Sequence, residues 1–193
     1  MNNKQTIVAI DPGSSGGIAI FTNGKIHAVK MPKSVDEMDQ YFRYIKSTYE
    51  NVVVFIEKVQ AYGKEDDAPG KKFAINKMLA NYQQVLTVIK LIPFRFVEVY
   101  PVTWQTTLGL KLPKSEGEET KTQRKNRYKD YAQNIFPELK VNLNTCDALC
   151  LVQFALVKTE NDIEWIRTRI QNEKNFSHDT CSNMHNSTVF YFS

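Results

Sequence analysis

Two apolar runs of this chain each end in an acid, and a third acid opens a late apolar stretch. Ile7-Val8-Ala9-Ile10 ends in Asp11, and Val52-Val53-Val54-Phe55-Ile56 ends in Glu57. Far downstream, Asn144-Thr145-Cys146-Asp147-Ala148-Leu149 carries the third. Runs this apolar fold as buried elements. Carboxylates on buried elements are costly unless they are paired, protonated or bound to a cation. Any fold of this chain must therefore meet that need. Hard oxygen ligands drawn from distant positions point to Mg²⁺ or Mn²⁺. Without an ion, such a cluster is expected to raise the pKa of at least one member, because like charges disfavour joint ionisation.

A chain of 193 residues fits one domain. Hydrophobic residues at 42% and charged residues at 24% allow a full core and argue against a disordered chain. A net charge of +4 permits a polyanionic partner without demanding one, so clustering decides. Cys146, Cys150 and Cys181 form no CxxC pair, which predicts a reduced, intracellular protein. Met1-Asn2-Asn3-Lys4 leads directly into a strand, so no signal peptide is expected, and no apolar run reaches the length of a membrane span.

Strands are expected over Thr6–Ile10, Gly17–Phe21 and Lys25–Met31, with Thr22-Asn23-Gly24 as the hairpin turn. A helix follows from Pro32–Ser34 to about Tyr49, then a central strand over Val52–Glu57. Gln60 to Lys72 reads as a loop, Phe73–Leu91 as a helix and Phe94–Tyr100 as a fifth strand. Pro101–Leu108 is a short helix, Lys111–Glu119 a polar linker, Thr120–Phe136 a basic helix, and Asn144–Lys158 the last strong helix. Hairpin strands first and helix–strand alternation afterwards predict an α/β mixed five-stranded sheet flanked by helices. Positions 1–158 are expected to form the domain, and 159–193 a C-terminal helix and a flexible tail, rich in Asn, Ser, Thr and His from about Asn172.

Five pieces occur in order: Ile10-Asp11-Pro12-Gly13-x-x-Gly16-Gly17, Ile56-Glu57-Lys58-Val59, Tyr100-Pro101-x-x-Trp104-Gln105, Phe136-Pro137 and Asp147-Ala148-Leu149. Over about Ile7 to Leu156 this pattern resembles the RuvC-type Holliday junction resolvases, especially the phage and virus branch of these ribonuclease H-like nucleases. The resemblance implies a ribonuclease H-like fold and metal-dependent cleavage of four-way DNA junctions. It makes Asp11, Glu57 and Asp147 catalytic metal ligands. It places a fourth ligand at Asn144, where family members commonly carry Asp or His. Two Mg²⁺ or Mn²⁺ ions are then expected, since a pair can activate water on one side of a phosphodiester and stabilise the leaving oxygen on the other. Two symmetric cuts imply a homodimer, with Phe73–Leu91 as the candidate interface. The expected setting is the cytoplasm of a bacterium or of a phage- or virus-infected cell.

Lys111, Lys114, Lys121, Arg124, Lys125, Arg127 and Lys129 cluster within 20 positions. On a helix, Lys121, Lys125 and Lys129 share a stripe flanked by Arg124 and Arg127. A solvated face is the plain reading; beside a carboxylate site, phosphate contacts are preferred. Lys58, Lys64, Lys71 and Lys72 bracket the loop after Glu57, which in resembling resolvases faces the junction. Tyr62 is a candidate for stacking on an unpaired base, whereas Phe73 is expected in the core.

Plainer readings stand beside these. Asp11 before Pro12-Gly13 can open a turn. Glu57 can pair with Lys58, and Asn144 can cap the last helix with Asp147 at its third position. The glycines after Pro12 could cradle a nucleotide phosphate, as in sugar-kinase and actin relatives, although GxxxxGK[ST] is missing. The substrate could be a hybrid or a flap, or the chain could bind junctions without cutting them. His178-x-x-Cys181-x-x-x-His185 supplies three zinc-type ligands and no fourth. Asn186-Ser187-Thr188 matches a glycosylation acceptor that an intracellular protein does not use.

Overall fold

The computed structural model describes residues 5–60, 68–113 and 119–161. Five strands, β1 (Thr6–Asp11), β2 (Gly17–Thr22), β3 (Lys25–Lys30), β4 (Val52–Glu57) and β5 (Arg95–Val99), form one sheet in the order β3-β2-β1-β4-β5. The pairings β1–β2 and β2–β3 are antiparallel, and β1–β4 and β4–β5 are parallel. This is the expected mixed five-stranded sheet. Asn23 at φ 50° and Gly24 at φ 76° form the hairpin turn whose two positive φ values match the twist of β2 and β3.

Side-chain alternation divides the sheet's two faces. Val8, Ile10, Val54 and Ile56 pack with α1 (Val35–Thr48) and α2 (Pro69–Leu91) through Phe42, Ile45, Val85 and Ile89. Ile7, Ala9, Val53 and Phe55 face α4 (Lys121–Ile135) and α5 (Cys146–Asn161) through Tyr128, Ala132, Leu149 and Val152. The short α3 (Pro101–Thr107) adds Trp104, fully buried, to that second layer. Asp11 follows Ile7 and Ala9 at a spacing of two residues, and Glu57 follows Val53 and Phe55. Parity therefore sends both acids to the α4–α5 face.

The start of α1 agrees with expectation, whereas the start of α2 and the place of Phe73 do not. α1 begins at Val35 because Ser34 caps it, its hydroxyl accepting the Glu37 N–H at 3.1 Å. α2 begins at Pro69, four residues earlier than the periodicity predicts. Phe73, expected in the core, is 71% exposed. The cause is length. A helix of 23 residues spans about 35 Å, whereas a strand of six spans about 20 Å. α2 is buried from Tyr82 onward, and its first three turns stand clear of the sheet with Phe73 and Met78 in the open. Tyr62, Lys64, Lys114 and the motifs of the tail, including His178, Cys181 and His185, lie outside the described residues. Among the described residues no helix is long and apolar enough to cross a membrane.

Gly17 lies where β2 passes under the start of α5. A Cβ there would meet the carbonyl oxygens of Asn144 and Val29, each at 2.8 Å. Both neighbours are backbone and cannot swing aside. Gly17→Ala is therefore expected to destabilise the protein by roughly 1–3 kcal/mol, as overpacking does. Chemical denaturation of the two proteins checks this, and an unchanged midpoint would show that the β2–α5 crossing yields freely.

Candidate active site

Asp11 and Glu57 end neighbouring parallel strands. The register pairs Ile10 with Ile56, so the next residue on each strand is an acid. Adjacent strands lie about 4.8 Å apart. Two carboxylates thus leave the sheet side by side, and α5 lowers Asp147 onto them from above. Asp147 is 9% exposed. Each acid comes from a different element, and the local sequence of each is the reason: β-branched runs make the strands, and Ala148 to Ala155 make the buried helix.

The group that meets these acids is a lysine. Lys125 Nζ lies 2.7 Å from Asp147 Oδ2 and 3.4 Å from Asp11 Oδ2. Its side chain is 20% exposed. Lys125, Tyr128 and Ala132 follow one another at intervals of three and four on α4, and the latter two are buried. Lys125 therefore stands on the inward stripe of the helix, not on an outward basic face. The Thr120–Gln123 capping box fixes the start of α4 one turn before it.

The remaining carboxylate oxygens are engaged as well, with one exception. Asp11 Oδ1 accepts the Gly13 N–H at 3.1 Å. Asp147 Oδ1 receives the Cys146 thiol at 3.1 Å. Glu57 Oε2 accepts the indole N–H of Trp104 at 2.8 Å. Trp104 in turn meets the ring of Tyr128 edge-on, with centroids 5.1 Å apart. Glu57 Oε1 has no hydrogen-bond partner among the described residues.

Burial dominates the electrostatics. Desolvation, then the charge of Asp147, raises the pKa of Asp11, while Lys125 opposes the shift. Desolvation, then Asp11 and Asp147, pushes Glu57 up to about 8. The expectation of a raised carboxylate is met twice. Lys125 also has a raised pKa: desolvation is the largest effect and lowers it, but the charges of Asp147 and Asp11 together outweigh it. Burial pushes the Cys146 thiol up to about 12, so it stays a neutral donor.

Asn144 does not cap α5. In the turn before α5, Asn142 Oδ1 accepts the N–H groups of Asn144 at 2.9 Å and Thr145 at 3.2 Å. The Asn144 amide instead donates from Nδ2 to the Ser15 carbonyl at 2.8 Å. That bond ties the β1–β2 loop, which begins at Asp11, to the start of α5, which carries Asp147. An Asp in this place would turn an acceptor toward an acceptor. Asn144 Oδ1 has no hydrogen-bond partner among the described residues, so its neutral oxygen stays available.

The other basic residues are dispersed. Lys58 does not pair with Glu57; its Nζ lies 3.7 Å from Glu98 Oε2 and 5.2 Å from the centre of the Tyr100 ring. The Tyr82 hydroxyl donates to the same Glu98. Lys71 and Lys72 stand exposed at the start of α2, and Lys111 is exposed after α3. Lys121 and Arg124 are exposed on the first turn of α4, and Lys129 is half-buried. Arg127 turns to Glu119, with which it makes a two-pronged pair at 2.7 and 3.0 Å, and to the Leu110 carbonyl.

Lys125 and Trp104 gain roles that charge clustering and motif matching alone did not give them. The signal for Lys125 was its register with Tyr128 and Ala132. For Trp104, a quoted motif residue, no sequence rule placed its N–H against Glu57.

Hard oxygens, burial and a single cation for three acids suit a divalent ion. Asp11, Glu57 and Asp147 could each offer a carboxylate oxygen, and Asn144 a neutral one. Among the described residues no three His, Cys, Asp or Glu are already closed around a shared ion position.

The pKa of Glu57 sets a pH dependence. Without divalent ions the native protein keeps a proton on Glu57 that the unfolded chain releases above 4.5. The stability that this proton brings is complete below 4.5 and is lost as pH rises through about 8. Asp11 acts in the same direction. Thermal midpoints in chelator are thus expected to fall across this window, and Glu57→Gln to flatten the fall. Parallel curves for the two proteins would show that Glu57 titrates normally.

No family model and no curated protein matches the chain. Solved structures do. The structure of Thermus thermophilus RuvC in complex with a Holliday junction substrate is similar at 14% identity and a TM-score of 0.51. The match covers 82% of this chain and 97% of that one. A second Thermus thermophilus RuvC structure is similar at 15% identity and a TM-score of 0.50, covering 81% and 96%. The sheet order, the helices on both faces and the extent of the match give this chain the ribonuclease H-like fold of RuvC.

Proposed function

We propose that this chain is a divalent-metal-dependent, structure-selective DNA endonuclease that cuts four-way junctions by phosphodiester hydrolysis. One observation supports the reading: Asp11, Glu57 and Asp147, from three separate elements, lie close enough for their charges to act on one another in a largely covered place. A buried cluster with excess negative charge is a poor place for stability and a good place to hold a cation. The RuvC structure of the same fold is a complex with a Holliday junction substrate, which directs the choice of substrate.

Divalent ions bound there would supply the Lewis acidity and activated water that phosphodiester hydrolysis needs. The chain's own residues do the rest. Trp104 holds one oxygen of Glu57 and so orients the other. The Asn144–Ser15 bond keeps Asp11 and Asp147 in one frame. The Lys125 ammonium offsets part of the negative charge that a phosphate must approach. Lys121, Arg124 and Lys129 on α4, with Lys111, supply a basic approach beside the acids. Lys58, Lys71 and Lys72 flank the junction-facing side of the reading. The exposed apolar start of α2, with Phe73 and Met78, suits a second copy of the chain, and a homodimer would deliver two symmetric cuts. The work is intracellular in this reading, since the substrate is.

The test is a panel of labelled four-way junction, linear duplex, flap and RNA–DNA hybrid, with Mg²⁺, Mn²⁺ or chelator. Cutting of the junction, dependent on the ion, is expected. Asp11→Asn, Glu57→Gln and Asp147→Asn should each lower it by more than about 100-fold, beyond the loss of a mere supporting group, while junction binding persists. Preference for flap or hybrid would move the reading to another nuclease of this fold. Binding without any cutting would leave a junction-binding protein.

If α4 guides DNA, the triple change of Lys121, Arg124 and Lys129 to Gln should weaken junction and duplex binding alike. It should also flatten the plot of log affinity against log salt by about 0.9 per lost duplex contact. Equal slopes for parent and variant would place the DNA path elsewhere.

A further inference from the structure

Within the nuclease reading, we propose that Lys58 is a positioning residue for Glu57 rather than a phosphate contact: Glu98 clasps its side chain from the far face of the sheet, and Tyr82 holds Glu98. The inference rests on that reading and on three features beside β4 and β5.

The first is the side on which the charges meet. The register pairs Glu57 with Val99 and Ile56 with Glu98. Val99 packs in the α4–α5 layer with Val53 and Phe55, so Glu98 points the other way, toward α1 and α2. There it accepts the hydroxyl of Tyr82, from α2. Lys58 sends its Nζ to the same carboxylate, at 3.7 Å from Oε2. Its charge is thus drawn to the face opposite the one to which Asp11 and Glu57 point.

The second is that the ammonium is already engaged. It also lies 5.2 Å from the centre of the Tyr100 ring, within cation–π reach. The Lys58 and Glu98 side chains are 34% and 22% exposed, so the pair is partly shielded from the solvent that weakens surface ion pairs. Glu98 is not free to follow Lys58 outward. Tyr82 is buried, and its hydroxyl would be left without its acceptor in a covered place.

The third is the backbone. The Lys58 N–H donates to the Val99 carbonyl at 2.8 Å, which carries the β4–β5 ladder one residue past Glu57. Glu57 is the last residue of β4, and the ends of elements open most easily. With Lys58 held at both backbone and side chain, Glu57 stands between two fixed neighbours, and its Oε2 stays on the Trp104 N–H. A displacement of about 1 Å at a reacting centre can cost about 100-fold in rate. The clasp therefore acts on cleavage and not on DNA affinity.

The experiment compares full-length wild type, Lys58→Met, Lys58→Arg, Glu98→Gln and the double variant Lys58→Met with Glu98→Gln on labelled four-way junction. Two quantities are read: the cleavage rate at saturating protein with Mg²⁺, and junction affinity against salt concentration in chelator. Lys58→Met and Glu98→Gln are each expected to lower the rate by about 10- to 100-fold, as loss of a supporting partner does, with affinity and salt slope unchanged. The double variant should be no slower than the slower single one, because both changes open the same clasp. Lys58→Arg, which restores the charge, should keep most of the rate. A weaker Lys58→Met complex with a slope flatter by about 0.9 would overturn the proposal and make Lys58 a phosphate contact. Wild-type rates in either single variant, losses that multiply in the double one, or a Lys58→Arg protein as slow as Lys58→Met would overturn it too, with the nuclease reading left standing. A wild type that cuts no junction would remove both. Should Glu98→Gln fail to fold, the rate and slope of Lys58→Met still decide.

Discussion

The bridge from Lys125 to Asp147 and Asp11 is the contact on which the rest of this molecule depends. Two parallel strands deliver carboxylates side by side, and a helix adds a third over them. In an apolar core that arrangement would be rejected without a positive charge to face it. The charge comes from α4, and α4 can supply it only because Tyr128 and Ala132 anchor the helix against the sheet at the right height. Packing and electrostatics are therefore one problem here. The apolar stripe that holds α4 in place also sets the depth at which the ammonium arrives.

Most of the architecture was legible in the sequence because it follows from periodicity. Val52–Glu57 was read to the residue, and Asp11 and Glu57 were assigned to strand ends, because an apolar run that stops at an acid has few other meanings. The hairpin turn was readable from Asn23-Gly24, whose backbone preferences are local. Helix starts were less so: periodicity begins the second helix at Phe73, and the structure begins it at Pro69. Phe73 was misplaced for a global reason. Helix periodicity says which residues share a face, but not where the sheet beneath that face ends.

The site shows the same division. Which acids form the candidate site was visible in their placement on buried elements. How they are held was not, because each holding group reaches across the fold. Trp104 meets Glu57 from 47 positions away, Asn144 meets Ser15 from 129, and Lys125 meets Asp11 from 114. Lys125 had been grouped with its charged neighbours in sequence. Its register with Tyr128 and Ala132 identifies it instead as the member of that cluster that meets the acids.

The indole of Trp104 has a further consequence. A tryptophan whose N–H ends on a carboxylate is an optical probe of that carboxylate, since its emission responds to the charge and geometry at the far end of the bond. The chain has two tryptophans, and this one lies fully buried against Glu57. Whatever changes the state of Glu57, whether a proton, an ion or a phosphate, is thereby written into the protein's own fluorescence, without a label and before any bond in a substrate is broken.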